Sequence, residues 1–153
     1  MRFFEKEIKM NKLWFLIIIV VLSTSCKKDS TDIIPNVRFT AEINLDNPQY
    51  TGKNPFIIKP DFSNQIVGIN GVVVFEVSPT QFYAFDLMCT HEHDTGQYFV
   101  EIVKAGDIVL ICPECHSEFN VAAEYGSIVK GPAKWPLKRY QTAVTGSTLR
   151  IWN

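Results

Sequence analysis

The pattern of hydrophobic and polar positions predicts short β-strands along most of the chain after residue 37. Residues 37–43 alternate between apolar and polar side chains, which is the period of a strand with one buried face. Runs rich in β-branched and aromatic residues follow, separated by turn residues; they are residues 66–69, 72–77, 83–87, 98–103, 107–111, 143–144 and 149–152. No segment keeps a helical period over three turns. The pattern therefore predicts a small all-β sandwich or barrel.

Two glycine-containing sequences predict how neighbouring strands are connected. Asn70-Gly71 lies between two of the apolar runs and is typical of a type I′ β-hairpin. Lys104-Ala105-Gly106 separates residues 98–103 from residues 107–111, which are similar in length, and predicts a second hairpin. Because a hairpin carries the chain away and back again, we expect the segments on either side of the second hairpin to lie close together.

The N-terminal region has a different pattern, which is that of a secretion signal. Four basic residues precede an unbroken apolar run over residues 13–22, and ten apolar residues are too few to span a bilayer. Residues 22–26, Leu-Ser-Thr-Ser-Cys, resemble the lipobox of bacterial lipoproteins, although Ser23 stands where the lipobox usually has leucine. The resemblance implies removal of residues 1–25 and lipidation of Cys26. The alternative is an uncleaved signal anchor with a free Cys26.

The segment after Cys26 is polar and without periodicity. Residues 27–32 read Lys-Lys-Asp-Ser-Thr-Asp, which predicts a flexible tether over residues 26–36 between the lipid and a domain of residues 37–153. The tether resembles the stalk of many lipoproteins of the Bacteroidetes, in which such a stretch can direct the protein to the outer membrane or the cell surface. This resemblance implies the cell envelope, and the outer rather than the inner membrane. A plain flexible linker is the alternative.

Length, composition and charge limit the classes of protein. A chain of 153 residues with 46% hydrophobic and 20% charged residues can bury one hydrophobic core. The net charge is −1, and removal of residues 1–25 takes away four basic and two acidic residues, which leaves −3. No basic field remains to bind the phosphates of a nucleic acid, and we expect no nucleic-acid partner.

The candidate chemistry lies in two short segments on either side of the second predicted hairpin. They are Cys89-Thr90-His91-Glu92-His93 and Cys112-Pro113-Glu114-Cys115-His116-Ser117-Glu118-Phe119. A C-x-H and a C-x-x-C sequence brought together offer three thiolates and an imidazole. Such a set can bind zinc tetrahedrally, or two irons with bridging sulfides. The spacing therefore predicts a metal site.

The alternative use of these cysteines is a disulfide. If Cys26 is lipidated, three of the four cysteines remain in the domain. Pairing Cys112 with Cys115 would leave Cys89 as an unpaired thiol beside two histidines. The odd number of cysteines therefore favours metal binding.

The two segments resemble the cluster-binding loops of Rieske proteins, C-x-H and C-P-x-H-x-S-x-F/Y. Beyond them, Gly131-Pro132-Ala133 and Pro136-Leu137 are similar to the segment that shields the cluster in that family. The resemblance covers residues 37–153. It implies a Rieske-like sandwich or barrel, with a rubredoxin-like metal-binding subdomain of two loops, and a [2Fe-2S] cluster. It also implies a hydrogen bond from Ser117 to the cluster and shielding of the cluster by Pro132.

The second loop departs from the family pattern at one ligand position. Counting back from Phe119 puts Cys112 on a cysteine ligand and Cys115 where the family has its second histidine, while His116 falls one residue later. The metal ligands that the resemblance implies are Cys89, His91, Cys112 and Cys115. A bulge in the loop would instead make His116 the fourth ligand and restore two cysteines and two histidines.

Other positions near the loops also differ from the family pattern. The cysteines that join the two loops in respiratory members would fall at Asp94 and Glu114, so the chain resembles the ferredoxin-type or degenerate members. Phe119 stands where high-potential members have a tyrosine, which implies a low reduction potential. His93 is expected to be a solvated loop histidine.

The number of histidines bears on the enzyme class. Rieske oxygenases need a second domain that binds mononuclear iron through two histidines and a carboxylate. This chain has three histidines, all in or beside the two loops. We therefore expect an electron carrier, or a subunit of an oxidoreductase, with an unknown redox partner and no catalytic domain of its own. The alternative is a non-redox binding or structural module that holds zinc or has lost its metal.

Overall fold

The computed structural model describes residues 33–59, 67–93, 100–102 and 107–153. In these ranges the chain forms ten β-strands and no helix, so no segment there provides a helix that could cross a membrane. The strands are β1 Thr40–Asn44, β2 Phe56–Ile58, β3 Val72–Ser78, β4 Gln81–Asp86, β5 Glu101–Ile102, β6 Val109–Ile111, β7 Glu118–Asn120, β8 Ser127–Lys130, β9 Arg139–Thr145 and β10 Thr148–Trp152. The predicted all-β fold is confirmed.

The larger of two sheets has six antiparallel strands in the order β1-β10-β9-β4-β3-β2. Alternate residues of β1 and β10 are buried, as the period of two along a strand requires when one face meets the core. These buried residues form a core with apolar residues of β2, β3 and β4 and with Tyr140. The first strand, predicted at residues 37–43, is observed at Thr40–Asn44. The paired strands at the C-terminus and their turn at residues 145–147 are confirmed.

The second sheet has four antiparallel strands in the order β5-β6-β7-β8. Leu110 of β6 pairs with Phe119 of β7, and both side chains are fully buried. They belong to a second apolar core, which also contains Cys89 and Cys112. The cysteine-bearing loops are therefore fixed on a packed core.

The strand pairing of the second predicted hairpin is confirmed, whereas the first predicted hairpin is wrong. β5 and β6 pair in an antiparallel manner, although the predicted turn at residues 104–106 lies outside the described residues. Asn70-Gly71 does not join two paired strands, because β3 pairs with β2 and residues 68–70 form a turn. A methyl group at Gly71, which has a φ of +100°, would lie 2.8 Å from the Ile58 carbonyl oxygen. The glycine thus permits a close approach of β2.

The segment before β1 is bound to the larger sheet. Ile34 is 1% exposed, and the buried Lys138 ammonium donates hydrogen bonds to the Pro35 carbonyl at 2.9 Å and to Asn36 Oδ1 at 2.7 Å. Asn153 Nδ2 also donates to Asn36 Oδ1, at 2.9 Å. The predicted signal peptide, Cys26 and the first part of the predicted tether lie outside the described residues.

Candidate metal centre

Three cysteines converge from two loops, one that follows β4 and one that joins β6 to β7. The Sγ atoms of Cys89, Cys112 and Cys115 all lie within 4.8 Å of one another, and those of Cys89 and Cys115 are 3.6 Å apart. Cys89 and Cys112 are fully buried, whereas Cys115 is half-buried. All three are free thiols. The expected meeting of the two cysteine-bearing loops is therefore observed.

The first loop is an extension of β4. The Leu87 amide donates to the Gly71 carbonyl at 3.0 Å, and the Val100 amide donates to the Leu87 carbonyl at 2.9 Å. The Met88 amide donates to Asp86 Oδ1 at 2.6 Å. These bonds hold the backbone on both sides of residue 87, so the position of Cys89 is determined by the six-stranded sheet.

The second loop is a tight turn between β6 and β7. The His116 amide donates to the Cys112 carbonyl at 3.0 Å, and the Cys112 amide donates to the Ser117 carbonyl at 2.9 Å. His116 closes the turn in the left-handed region, with a φ of 57°, and its side chain is exposed. The turn brings the Sγ atoms of Cys112 and Cys115 together and leaves His116 outside the three-atom group.

The predicted histidine ligand is not part of this group. His91 lies on the surface, and its Nε2 is 3.7 Å from Glu92 Oε1. His93 is half-buried, and its Nδ1 lies 3.2 Å from the Thr90 carbonyl oxygen. Three of the four predicted ligands are thus brought together, and the coordinating roles of His91 and of the alternative ligand His116 remain predictions.

Ser117 connects the second loop to the glycine-proline segment. Its hydroxyl oxygen lies 3.1 Å from Cys115 Sγ and accepts a hydrogen bond from the Ala133 amide at 3.0 Å. A methyl group at Gly131 would lie 2.5 Å from Ser117 Cα, so only glycine allows this approach. Pro132 lies between Gly131 and Ala133 and is exposed. The hydrogen bond from Ser117 to a cluster and the shielding by Pro132 stay predictions.

The three thiols differ in acidity. Burial raises the pKa of the Cys89 thiol to about 12 and also raises the pKa of the Cys112 thiol. Burial acts in the same direction on Cys115, but hydrogen bonds from the Ser117 side chain and backbone, and from the other thiols, leave its pKa below the ordinary value. A bound metal cation provides the positive charge that deprotonates buried thiols. The site is therefore suited to binding a cation through thiolates.

A hydrogen bond that the sequence pattern did not indicate joins the first loop to the proline segment. Thr90 Oγ1 donates to the Trp135 carbonyl oxygen at 2.5 Å. Trp135 itself is 45% exposed. This hydrogen bond joins residues 45 positions apart along the chain. Local sequence patterns do not indicate a contact between residues so far apart.

The sequence profile of the Rieske [2Fe-2S] domain family matches residues 57–141. This match covers more than half of the chain and includes all three converging cysteines. The chain belongs to the Rieske [2Fe-2S] domain family. The predicted family is confirmed.

Two solved structures are similar to this chain. The "Ferredoxin of carbazole 1,9a-dioxygenase from Nocardioides aromaticivorans IC177" has 20% identity and a TM-score of 0.45, over 75% of this chain and 94% of that chain. The "Complex of reduced oxygenase and oxidized ferredoxin in carbazole 1,9a-dioxygenase" has 19% identity and a TM-score of 0.42, over 76% of this chain and 91% of that chain. No curated protein sequence matches the chain.

The cofactor follows from the family and is compatible with the donor atoms. The Rieske domain binds a [2Fe-2S] cluster, and thiolates are the usual ligands of such clusters. Three thiols from two loops, two of them in an apolar core, provide such ligands. The family match and the converging thiols therefore confirm the predicted [2Fe-2S] cofactor.

Proposed function

We propose that this protein is an exported, lipid-anchored electron carrier that exchanges single electrons with a separate redox protein. The observation that carries the proposal is the convergence of the Cys89, Cys112 and Cys115 thiols in a Rieske-family domain. A bound [2Fe-2S] cluster supplies one-electron oxidation and reduction. The domain binds the cluster, excludes water from part of it and provides the surface for the partner.

The proposed ligand set is Cys89, His91, Cys112 and Cys115. Cys89 and Cys112 are fully buried, so their sulfur atoms provide the water-excluded side of the site. The exposed His91 would provide the solvent-facing ligand, through a rotation of its side chain from its position beside Glu92. Exposure of a coordinating imidazole would allow its second nitrogen to exchange a proton with water.

The histidine content supports a separate redox partner. All three histidines lie in or beside the two loops, and none is left for a second iron site of the oxygenase type. The proposal therefore assigns the source and the acceptor of the electron to other redox proteins.

The proposed anchor is Cys26, and the proposed location is the outer membrane of the cell envelope. The basic segment, the short apolar run and the Leu-Ser-Thr-Ser-Cys sequence support this proposal. Ile34 is buried in the domain only eight residues after Cys26, so the intervening chain can span at most about 28 Å. A tether of this length supports a partner that lies at the same membrane surface.

The site of attachment adds support for a membrane-bound partner. Lys138 binds Pro35 through its ammonium group, and its carbonyl oxygen accepts a hydrogen bond from the Asp86 amide at 2.9 Å. Asp86 precedes Cys89 by three residues, which span about 10 Å at most. The tether thus joins the domain near the end that carries the first cysteine loop.

Expression of the full chain with and without Cys26→Ala tests both parts of the proposal. The unmodified protein should be found in the membrane fraction, contain two irons per chain and show the visible absorption of a [2Fe-2S] cluster. The Cys26→Ala variant should keep the colour and the iron but move to the soluble fraction. A colourless protein that contains zinc would refute the electron-carrier function, whereas unchanged membrane association of the variant would refute the anchor alone.

A further inference from the structure

A fully buried carboxylate lies just before the first cysteine loop. Asp86 is the last residue of β4, has no exposed surface and precedes Cys89 by three residues. Its Oδ1 accepts a hydrogen bond from the Met88 amide at 2.6 Å. Its Oδ2 accepts hydrogen bonds at 2.6 Å from the Ile69 amide and from the Tyr140 hydroxyl. Three donors thus converge on one carboxylate that is not a predicted metal ligand.

The carboxylate joins three separate segments of the chain. Ile69 belongs to the turn before β3, Tyr140 belongs to β9, and Met88 is the residue before Cys89. A methyl group at Gly68 would lie 2.6 Å from Asp86 Oδ2, so the turn packs directly against the carboxylate. The Met88 amide is held by the side chain two residues earlier, and this fixes the direction in which the chain leaves β4 towards Cys89.

The hydrogen bonds match an ionised carboxylate. Two of the donors are backbone amides, which can only donate, and the third is a hydroxyl whose pKa is raised well above its usual range by burial and by the charge of Asp86. Lys138 is a buried neighbour, with its Nζ 5.7 Å from the centre of the Tyr140 ring. A charge without solvent contact is screened much less than a surface charge, so Asp86 acts on groups at the distance of the cysteine loop.

We propose that Asp86 is a positioning residue for Cys89 and that its buried charge makes the cluster harder to reduce. The inference rests on the proposed function, because it concerns the electron that the domain accepts. Three residues of extended chain place Asp86 at most about 10 Å from Cys89. A negative charge at this distance disfavours the reduced state, which carries one more electron than the oxidised state.

The test is protein-film voltammetry of iron-loaded Asp86→Asn, which removes the charge and keeps the shape of the side chain. The equilibrium constant for reduction should rise about tenfold, which corresponds to about 59 mV. The amide group of asparagine has one acceptor atom, so one of the Met88 and Ile69 amides loses its partner and should exchange its hydrogen faster. The matched control is Asp46→Asn, since Asp46 is exposed and its charge is screened by solvent.

A second variant, Tyr140→Phe, keeps the carboxylate charge and removes one hydrogen bond to it. The charge is then less neutralised, so the equilibrium constant for reduction should fall about twofold. Non-specific loosening of the site would shift the reduction potentials of both variants in the same direction. A charge effect would raise the potential of Asp86→Asn and lower that of Tyr140→Phe. If Asp86→Asn does not fold, the reduction potential of Tyr140→Phe tests the role of the Asp86 charge on its own, since a charge effect predicts a lower potential.

The outcomes separate this inference from the proposed function. A potential of Asp86→Asn equal to that of Asp46→Asn, or an unchanged or raised potential of Tyr140→Phe, would overturn the role of Asp86 and leave the electron-carrier function intact. Absence of a voltammetric wave and of the cluster absorption in the unmodified protein would overturn the electron-carrier function, and the inference with it.

Discussion

The hydroxyl oxygen of Ser117 lies 3.1 Å from the Sγ of Cys115. The same oxygen accepts a hydrogen bond from the Ala133 amide at 3.0 Å, which occupies one of its lone pairs. When Cys115 is a thiolate, the hydroxyl hydrogen is therefore available to donate to its sulfur atom. Ser117 thus stabilises negative charge on Cys115 and at the same time holds the glycine-proline segment against the second loop.

Replacement of Ser117 by alanine should lower the reduction potential of the iron-loaded protein. Loss of a hydrogen bond to a sulfur ligand destabilises the more negative, reduced state, and about 1 kcal/mol of difference corresponds to roughly 40 mV. Voltammetry at fixed pH measures the shift. Ser147→Ala is the control, because Ser147 lies in the exposed turn between β9 and β10. A potential of Ser117→Ala equal to that of the control would contradict a hydrogen bond to the ligand.

Single replacements should identify the metal ligands. We expect loss of nearly all bound iron when any one of the four predicted ligands is changed to alanine; they are Cys89, His91, Cys112 and Cys115. Much of the folding stability should be lost as well, because metal binding contributes to the stability of a small domain. Iron analysis and the absorption spectrum of each purified variant measure the effect.

The controls for the ligand set are the two remaining histidines. His93→Ala and His116→Ala should keep the iron, because the ligand set that the family pattern implies includes neither residue. Loss of iron from His116→Ala, with retention by Cys115→Ala, would reverse the assignment and restore the set of two cysteines and two histidines. Retention by His91→Ala would remove His91 from the set.

Gly131→Ala should destabilise the domain more than an equivalent change at an open turn. Both Gly131 and Gly146 have positive φ, of 103° and 60°, but a methyl group at Gly146 meets no atom within 4 Å. At Gly131 the methyl group would collide with the Ser117 backbone. We expect a loss of about 3 kcal/mol for Gly131→Ala and about 1 kcal/mol for Gly146→Ala, measured by urea unfolding. Equal losses of stability would show that the positive φ accounts for the whole effect and that the contact with Ser117 contributes nothing.

The sequence predicted the fold where a strand shows alternation or a β-branched run of its own. This was so for β3, β4 and β10, each of which has at least five residues. β2 was not predicted, because its three residues, Phe56–Ile58, lie between prolines, and it forms only by pairing with β3. β7 and β8 are also short and depend on pairing with their neighbours. Tertiary contacts determine such strands, and local pattern does not reveal them.

The candidate site was predictable to the extent that motif spacing determines it. The C-x-H and C-x-x-C sequences predicted the convergence of three thiols, which the structure contains. The support around them was not predictable, since Asp86 meets Tyr140 across 54 positions of the chain and Thr90 meets Trp135 across 45. In the sequence, an aspartate at the end of an apolar strand is typical of the first polar residue of a loop. The burial of Asp86 depends on the packing of β9, which the local sequence does not indicate.

In the metal-free protein, the three thiols should react with iodoacetamide in a defined order. Cys115 is half-buried and its pKa lies below the ordinary value, so it should react first and at lower pH. Cys89 should react last, because burial raises its pKa to about 12 and limits access. Peptide mapping by mass spectrometry across pH measures the order. Ser117→Ala should move the half-maximal rate of Cys115 to higher pH, and earlier labelling of Cys89 than of Cys115 would contradict the prediction.

The final prediction concerns the dependence of the reduction potential on pH, and it follows from the ligand set with one imidazole. Rieske centres with two histidines on one iron have potentials of about −150 to +300 mV, whereas plant-type ferredoxins have about −400 mV. A third thiolate adds negative charge, which disfavours the reduced state more than the oxidised state. We therefore expect a potential below about −150 mV. The absence of a tyrosine hydroxyl at Phe119 acts in the same direction.

The pH profile should show a single ligand ionisation, because only His91 can couple a proton to the electron. Above this ionisation in the oxidised state, the potential should fall by about 59 mV per pH unit, since one proton accompanies one electron. Two coordinated histidines would give two steps and a steeper fall at high pH. Voltammetry of the iron-loaded protein across pH distinguishes the two cases, with His116→Ala as the matched variant that should leave the profile unchanged. Two ionisation steps, or a potential in the upper Rieske range, would exclude a site of three cysteines and one histidine, because a single imidazole can release only one ligand proton.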